Sequence, residues 1–179
     1  MESMNRKVFI FIAVSLDGYI AREDGSIDWL SSVDSPGEDY GYEEINESVD
    51  TIIMGRKTYD KVMELVDEFP HKDKKVYILS RKSRAAENNI VFSSKDPGEL
   101  VRELLSQEGQ NIYVDGGAEI VQELMRQDLI DEYIISILPV FLGSGIALFG
   151  KTGKQKMLKL TYSHSFSSGL VQVAYERVR

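Results

Sequence analysis

Gly55, Gly116 and Gly117, the cation pairs Arg56-Lys57 and Arg81-Lys82, and the hydroxyls of Thr58 and Ser80 point, by type and spacing, to one kind of ligand. Gly55 follows the apolar run Ile52-Ile53-Met54, which reads as a buried strand. It precedes Lys57 to Val66, where Tyr59, Val62, Met63 and Val66 share a helical face. A glycine in such a bend lets backbone approach a ligand, while the new helix presents unpaired N–H groups and the positive end of its dipole. Arg56 and Lys57 add full charges and Thr58 a hydroxyl, so the bend favours an anion. Asp115-Gly116-Gly117 repeats the arrangement between the strand pattern Asn111 to Val114 and a helix whose apolar face is Ile120, Val121, Leu124 and Met125. Two glycine-led helix N-termini on one sheet edge can hold the two phosphates of a pyrophosphate. The chain has neither the single-loop G-x-G-x-x-G sequence nor a Walker A sequence. Ser80-Arg81-Lys82 directly follows the strand ending at Leu79 and so falls on the same edge. Cations and a hydroxyl there suit a ribose 2′-phosphate, whereas a free 2′-OH is usually met by a carboxylate. Each element alone also reads as an ordinary turn or a solvated loop. In order on one edge, they make NADPH, rather than NADH, the expected cofactor.

Hydride transfer to a polarised C=N or C=O bond needs a proton delivered nearby and otherwise orientation and electrostatics. Asp17 is the polar group expected near the substrate, as the catalytic residue. The same Asp17-Gly18 pair also reads as a turn that shapes the chain after the first strand. His71, in a charged turn, and His164, in the C-terminal hairpin, are expected at the surface. Tyr40 and Tyr42 either line a pocket or pack a short helix.

These groups need a scaffold that brings several strand ends to one edge. Val8 to Ser15 is a nearly continuous apolar run, as in a central strand covered on both faces. Ala21 to Pro36 reads as a long loop pinned by Trp29, and Glu38 to Ser48 as a short helix. Further strands are expected at Thr51 to Met54, Lys75 to Leu79, Ile90 to Phe92, Asn111 to Val114 and Asp131 to Leu138. Asp96-Pro97-Gly98-Glu99 opens a helix as a capping box, with Leu100, Val101, Leu104 and Leu105 as its buried stripe and Gly109 closing it. From Lys156 the alternation across Ser167-Ser168-Gly169 predicts an antiparallel hairpin. Strands alternating with helices predict a three-layer α/β domain: a mostly parallel mixed sheet, helices on both faces, and a C-terminal antiparallel hairpin. Ligands of such sheets sit at the carboxyl ends of the strands, where both glycine turns fall.

The 179 residues, 42% hydrophobic, suit one core, and a single domain over 5–179 is expected. A net charge of −8 argues against nucleic acid or an anionic membrane surface as partner, so any phosphate bound is that of a small molecule. With no cysteine and only two histidines, far apart in sequence, neither a disulfide nor a metal site is expected. Val8 to Ser15 is too short to span a bilayer and has no cleavage pattern after it, so a cytoplasmic protein is expected.

Thr51-Ile-Ile-Met-Gly-Arg-Lys-Thr-Tyr59 resembles the dihydrofolate reductase superfamily, and Gly116-Gly117 and Val76-Tyr-Ile-Leu-Ser80 match its other cofactor segments. The chain is more similar still to the C-terminal reductase domain of the bifunctional riboflavin-biosynthesis deaminase-reductase. The matching segments are Ser15-Leu-Asp-Gly-Tyr-Ile-Ala21, Asp24-Gly25, Asp28-Trp29, Asp115-Gly116-Gly117, Pro139-Val-Phe-Leu-Gly-Ser-Gly145 and Leu148-Phe149, in that order. The resemblance implies a dihydrofolate reductase-like fold and NADPH-dependent hydride transfer to a small heterocyclic or sugar-derived substrate, with a ribosylamino-pyrimidinone of riboflavin biosynthesis as the nearest class. By match, Gly55, Arg56, Lys57 and Thr58 hold phosphate, with Gly116, Gly117, Ala118 and Glu119 as the second phosphate turn. Ser80, Arg81 and Lys82 hold the 2′-phosphate, and Ala13 and Ile20 lie beside the nicotinamide. Trp29 closes the site, Asp115 stands where the family has a substrate-contacting acid, and a homodimer is implied, with Pro139 to Phe149 a candidate contact. Two departures bear on substrate. The Ala-Asp-Asp-Pro segment of the riboflavin enzymes is replaced by Lys57-Thr-Tyr-Asp-Lys-Val-Met63, the dihydrofolate reductase version, and no deaminase domain is expected. Reduction of dihydrofolate or another pterin is therefore the alternative, with Asp34, Asp39, Glu43 and Glu44 as carboxylates by position. A non-catalytic NADP-binding sensor or subunit is the third.

Overall fold

Val8–Ser15 (β1) is paired on both sides, which is why its sequence is apolar on successive residues instead of alternating. The computed structural model describes residues 6–82, 84–150, 153 and 155–178, so positions 5 and 179 of the expected domain lie outside the described residues. The other elements are Tyr19–Ala21 (β2), Tyr42–Glu47 (α1), Val49–Gly55 (β3), Arg56–Leu65 (α2), Lys75–Leu79 (β4) and Ile90–Ser93 (β5). They continue as Pro97–Leu105 (α3), Asn111–Gly116 (β6), Ala118–Arg126 (α4), Glu132–Leu138 (β7), Ile146–Ala147 (β8), Leu158–Ser165 (β9) and Val171–Arg177 (β10). The main sheet runs β5-β4-β3-β6-β1-β7-β10-β9; the pairs from β5 to β7 are parallel, and the β9–β10 hairpin is an antiparallel edge. This is the expected three-layer architecture.

Alternate residues of the strands feed two cores. On one face Val8, Ile10, Ile112 and Val114 pack under the stripes of α3 and α4, namely Leu100, Val101, Leu104, Ile120, Val121 and Leu124. On the other, Phe9, Ile52, Met54 and Tyr113 pack with Tyr59 of α2 and Phe69, and Ile45 of α1 joins their margin. The capping box of α3 is present in its essential half: Asp96 Oδ1 accepts from the N–H groups of Gly98 (2.9 Å) and Glu99 (3.2 Å). That helix ends at Ser106, short of Gly109. The apolar face expected after Gly55 is narrower than its spacing implies. Tyr59 is buried, Met63 is 40% exposed, and the helix stops at Leu65 with Val66 extended and exposed. Phe69, from the following turn, folds back onto Tyr59 instead, their ring centroids 5.6 Å apart.

Two features position the site. First, β1 pairs with β7 from Phe9 to Ser15 but with β6 only at Val8 and Phe9. Past Phe9 the sheet therefore opens between β1 and β6, toward the edge where the glycine turns lie. Second, β2 and β8, too short for any periodicity to show, form a small second sheet that fastens the segment after β1 to the segment after β7. Gly145 has φ +152, and a Cβ there would stand 2.3 Å from the Ala21 carbonyl oxygen, so only glycine permits this approach.

Candidate active site

The two glycine turns touch. Met54 of β3 pairs with Gly116 of β6. A Cβ on Gly55 would lie 3.2 Å from Ile120 Cδ1 and 3.6 Å from the Gly117 nitrogen, and a Cβ on Gly117 would lie 3.3 Å from Thr58 Oγ1. The Gly116-Gly117 peptide is cis. Gly55 and Gly117 are the N-cap residues of α2 and α4, and neither helix start receives a side-chain cap. The contrast with α3, whose first N–H groups Asp96 already fills, is chemical: α2 and α4 still have donors to offer an anion, and α3 has not. A cradle without side chains, between two uncapped helix starts, fits a pyrophosphate. Arg56, Lys57 and Thr58 open α2; Ala118, buried, and Glu119, exposed, open α4, so what these last two can offer an anion is backbone N–H. Arg56 already pairs with Asp60 at 2.7 Å. Lys57, Arg81 and Lys82 form no ion pair among the described residues and are exposed. Ser80 holds the start of its loop: its Oγ accepts from Lys82 N–H (3.1 Å) and its own N–H reaches Ser93 across β5.

Asp115 lies on β6 where that strand has parted from β1. The Tyr113 hydroxyl is 2.7 Å from Asp115 Oδ1 and 3.1 Å from the Phe11 carbonyl oxygen of β1. Burial pushes the Asp115 carboxyl up from the ordinary carboxylate range, with the Tyr113 hydrogen bond and His71 opposing. Burial also raises the Tyr113 phenol well above its usual value. His71 faces the same place and is 6% exposed, which corrects its expected surface position. Of the charges on its turn, Lys72 and Asp73 are exposed, while Lys74 turns inward to pair with Asp73 at 3.0 Å. Inside, Phe69 meets the His71 ring at 5.5 Å, and Asn89 Nδ2 donates to the carbonyls of His71 (2.6 Å) and Lys74 (2.7 Å). Burial pushes the imidazole down, toward the neutral form, against the raising pull of Asp115 and Asp73. Tyr42 packs its ring toward Phe11 at 6.3 Å, on the open side of the same crevice. His164, in contrast, is exposed on β9 as expected.

Asp17 is placed differently from its expected role. Its carboxylate accepts from the Ser15 hydroxyl (2.6 Å) and from the N–H groups of Leu142 (3.1 Å) and Gly143 (2.8 Å). The Ser15 hydroxyl first, then the backbone donors, hold it below the usual carboxylate range. A carboxylate so held keeps no proton to deliver near neutral pH; the geometry fits the turn-shaping alternative. Asp17 ties Ser15 to Ala21 to the Pro139 to Gly145 segment, two matching stretches far apart in sequence. Ser15 also receives the Tyr19 N–H at 3.0 Å.

Trp29 is 5% exposed in a short 3-10 helix, Asp28–Val33, packed with Val33, Leu138 and Leu170, and Ala13, expected beside the nicotinamide, lies against this cluster. Tyr40 anchors the loop, donating to Val33 O (2.5 Å), with its own carbonyl accepting from Gln172 (3.0 Å). Trp29 thus pins the 21–36 loop into a packed segment. Ile20 rests partly buried on the α3–α4 core. Of the four carboxylates considered for a pterin, Asp34, Asp39, Glu43 and Glu44 are all exposed, and Asp39 is engaged with the N–H groups of Gly41 and Glu43. Sequence reasoning missed Tyr113 and His71. Tyr113 reads only as a strand residue, although its i+2 relation to Asp115 put the two on one face of one strand.

Comparison with known proteins gives one consistent result. The model of the RibD C-terminal domain matches residues 6–172. The uncharacterized protein YwjB of Bacillus subtilis (strain 168) is 41% identical over 175 residues, covering 97% of this chain and 99% of that protein. A crystal structure of a Shewanella sp. PV-4 protein assigned to riboflavin biosynthesis superposes with a TM-score of 0.89 at 33% identity, covering 97% of this chain and 99% of the other. The deaminase/5-amino-6-(5-phosphoribosylamino)uracil reductase of Thermotoga maritima shares the fold at a TM-score of 0.72 and 16% identity; 97% of this chain aligns with 57% of that one.

Proposed function

Because the chain belongs to the RibD C-terminal domain family, we propose that it is an NADPH-dependent reductase acting on a small heterocycle of the ribosylamino-pyrimidinone class. The observation that carries this reading is one juxtaposition. Two touching, uncapped, glycine-led helix starts lie beside a half-buried acid in the opening between β1 and β6. When bound, the reduced nicotinamide supplies a hydride. The chain's own residues do the rest. The first N–H groups of α2 and α4, with Lys57 and Thr58, hold the pyrophosphate, and Arg81, Lys82 and Ser80 hold the 2′-phosphate. Ala13 and Ile20 line the approach to the nicotinamide. Phe11 and Tyr42 give the substrate ring apolar faces, and Asp115, whose carboxyl burial pushes up from the ordinary range, delivers the proton that hydride transfer calls for. The exposed state of Asp34, Glu43 and Glu44 leaves the pterin alternative without a specific observation in its favour.

Binding of NADPH and NADH by calorimetry tests the cofactor half. NADPH is expected to bind at least tenfold more tightly, and Arg81→Ala or Lys82→Ala to narrow the gap. Equal affinities in the wild type would sink the 2′-phosphate assignment. NADPH oxidation over a panel of pyrimidinones and pterins tests the other half: turnover of dihydrofolate in preference would favour the pterin reading, and binding without any oxidation a sensor or subunit.

A further inference from the structure

Tyr113 has two oxygen neighbours and one hydroxyl proton to give them. Its Oη stands 2.7 Å from Asp115 Oδ1 and 3.1 Å from the Phe11 carbonyl oxygen. A carbonyl only accepts, an ionised carboxylate only accepts, and a phenol carries a single O–H. With Asp115 ionised, one of the two contacts would set lone pair against lone pair in a place largely shut off from water. No residue of β6 pairs with Phe11, so no backbone N–H of that strand relieves the conflict. With Asp115 neutral the chain closes: the Asp115 carboxyl donates to Tyr113 Oη, and Tyr113 donates to Phe11 O.

We propose that Tyr113 is a positioning residue: in the resting protein it accepts from the neutral Asp115 carboxyl while donating to Phe11, and it turns its hydroxyl to Asp115 once that acid has given up its proton. What receives the proton rests on the reductase reading above; the resting state does not. In the transfer the Asp115 O–H bond breaks and its electron pair stays on the carboxylate. The proton bonds to the substrate atom that took up the π electrons displaced by the hydride, which the reduced nicotinamide dinucleotide supplies. Solvent later returns a proton to Asp115. Tyr113 thus has a partner in both states, and neither leaves a buried donor idle.

The surrounding groups agree. Beyond Tyr113, the ionisable groups facing Asp115 are His71, with Asp73 and Lys74 on the same turn, and Tyr42 from α1. Lys74 is turned to Asp73 at 3.0 Å, and buried His71 is held toward its neutral form, so among the described residues no full cation pairs with Asp115 to favour its ionised state.

The test reads the protein without substrate or cofactor. Carboxyl-13C-aspartate protein is titrated by NMR, with Asp115→Asn identifying the Asp115 signal. A midpoint above the ordinary carboxylate range is expected, moving up by about one further unit, a tenfold change in acidity, in Tyr113→Phe, where the carboxylate has lost its donor. A midpoint at or below the ordinary range, or one unmoved in Tyr113→Phe, overturns the assignment. Should Tyr113→Phe fail to fold, ζ-13C-tyrosine labelling of the wild type replaces it. The Tyr113 signal must then shift at the Asp115 midpoint, and a flat trace overturns the coupling. Intact titrations with no NADPH oxidation on any substrate would instead overturn the reductase reading alone.

Discussion

Asp17 and Asp115 carry the same functional group and end with opposite chemistry. Three donors converge on Asp17 and hold it below the usual carboxylate range, whereas Asp115, half-buried, has one phenol and a buried histidine beside it and is pushed up. Asp115→Asn should lower turnover by about 10²-fold or more, the usual worth of a positioned acid, with the NADPH dissociation constant within about twofold of wild type. An active Asn variant in steady-state assays would remove Asp115 from the proton step. Asp17→Asn should lower thermal stability while leaving the pH dependence of turnover in place, because its work is in the fold. Turnover itself should fall as pH rises through the raised Asp115 value, since the protonated form is the donor. His71 makes a separate, opposite contribution to stability. Its folded pKa is depressed, so its contribution is present above the unfolded value of 6.5 and is lost as pH falls through the folded value. The melting temperature should therefore drop on acidification below about pH 6.5, and His71→Gln should drop less; parallel curves would show that His71 is not the group responsible.

Among the elements, α2, α3 and α4 all start at the same sheet edge, and capping separates them. Asp96 makes α3 self-sufficient, so Asp96→Ala should cost about 1 kcal/mol in denaturant unfolding with no effect on cofactor binding. Gly117→Ala should behave in the converse way. Its φ of −78 suits alanine, but the new Cβ, 3.3 Å from Thr58 Oγ1, fills the phosphate cradle. NADPH affinity should fall about tenfold or more, equivalent to about 1.4 kcal/mol, with little change in stability. Unchanged affinity would mean that the pyrophosphate lies elsewhere. The β2–β8 pair and the Asp17 clamp belong to this scale too: they hold the segment after β7 against the segment after β1, and Gln122 of α4 secures it by donating to the carbonyls of Ala147 (3.2 Å) and Leu148 (3.1 Å).

Taken as one molecule, the sheet opens at one edge and is bare at another. Strand β9 is exposed along its whole length, and Leu158, Leu160 and Tyr162 on it join Val171 of β10 as uncovered apolar surface. The expected homodimer would bury such surface, so β9–β10 is a candidate contact beside Phe141 and Phe149 in the Pro139 to Phe149 segment. Sedimentation equilibrium should give twice the chain mass for wild type and Phe141→Asp, and a single chain mass for Leu160→Asp. The reverse pattern would return the contact to Pro139 to Phe149, and a wild-type monomer would end the dimer expectation. Among the described residues no helix is long and apolar enough to cross a membrane.

Periodicity and glycine placement were enough to read, from sequence, the order of strands and helices, the parallel sheet with its antiparallel hairpin, and both glycine turns. Those features follow from near-neighbour chemistry: which faces are apolar, where backbone must bend, where a helix must be capped. Which acid is pushed up and which is held down was not legible. The Asp17 donors come from residues 142 and 143, and the environment of Asp115 from Phe11, Tyr42 and His71, all distant in sequence. Ionisation depends on solvent exclusion and on the donors within a few ångströms, and only tertiary packing decides both. For the same reason His71 read as a surface residue and became buried: a turn's composition shows what it can expose, and the packing of its neighbours decides what it buries.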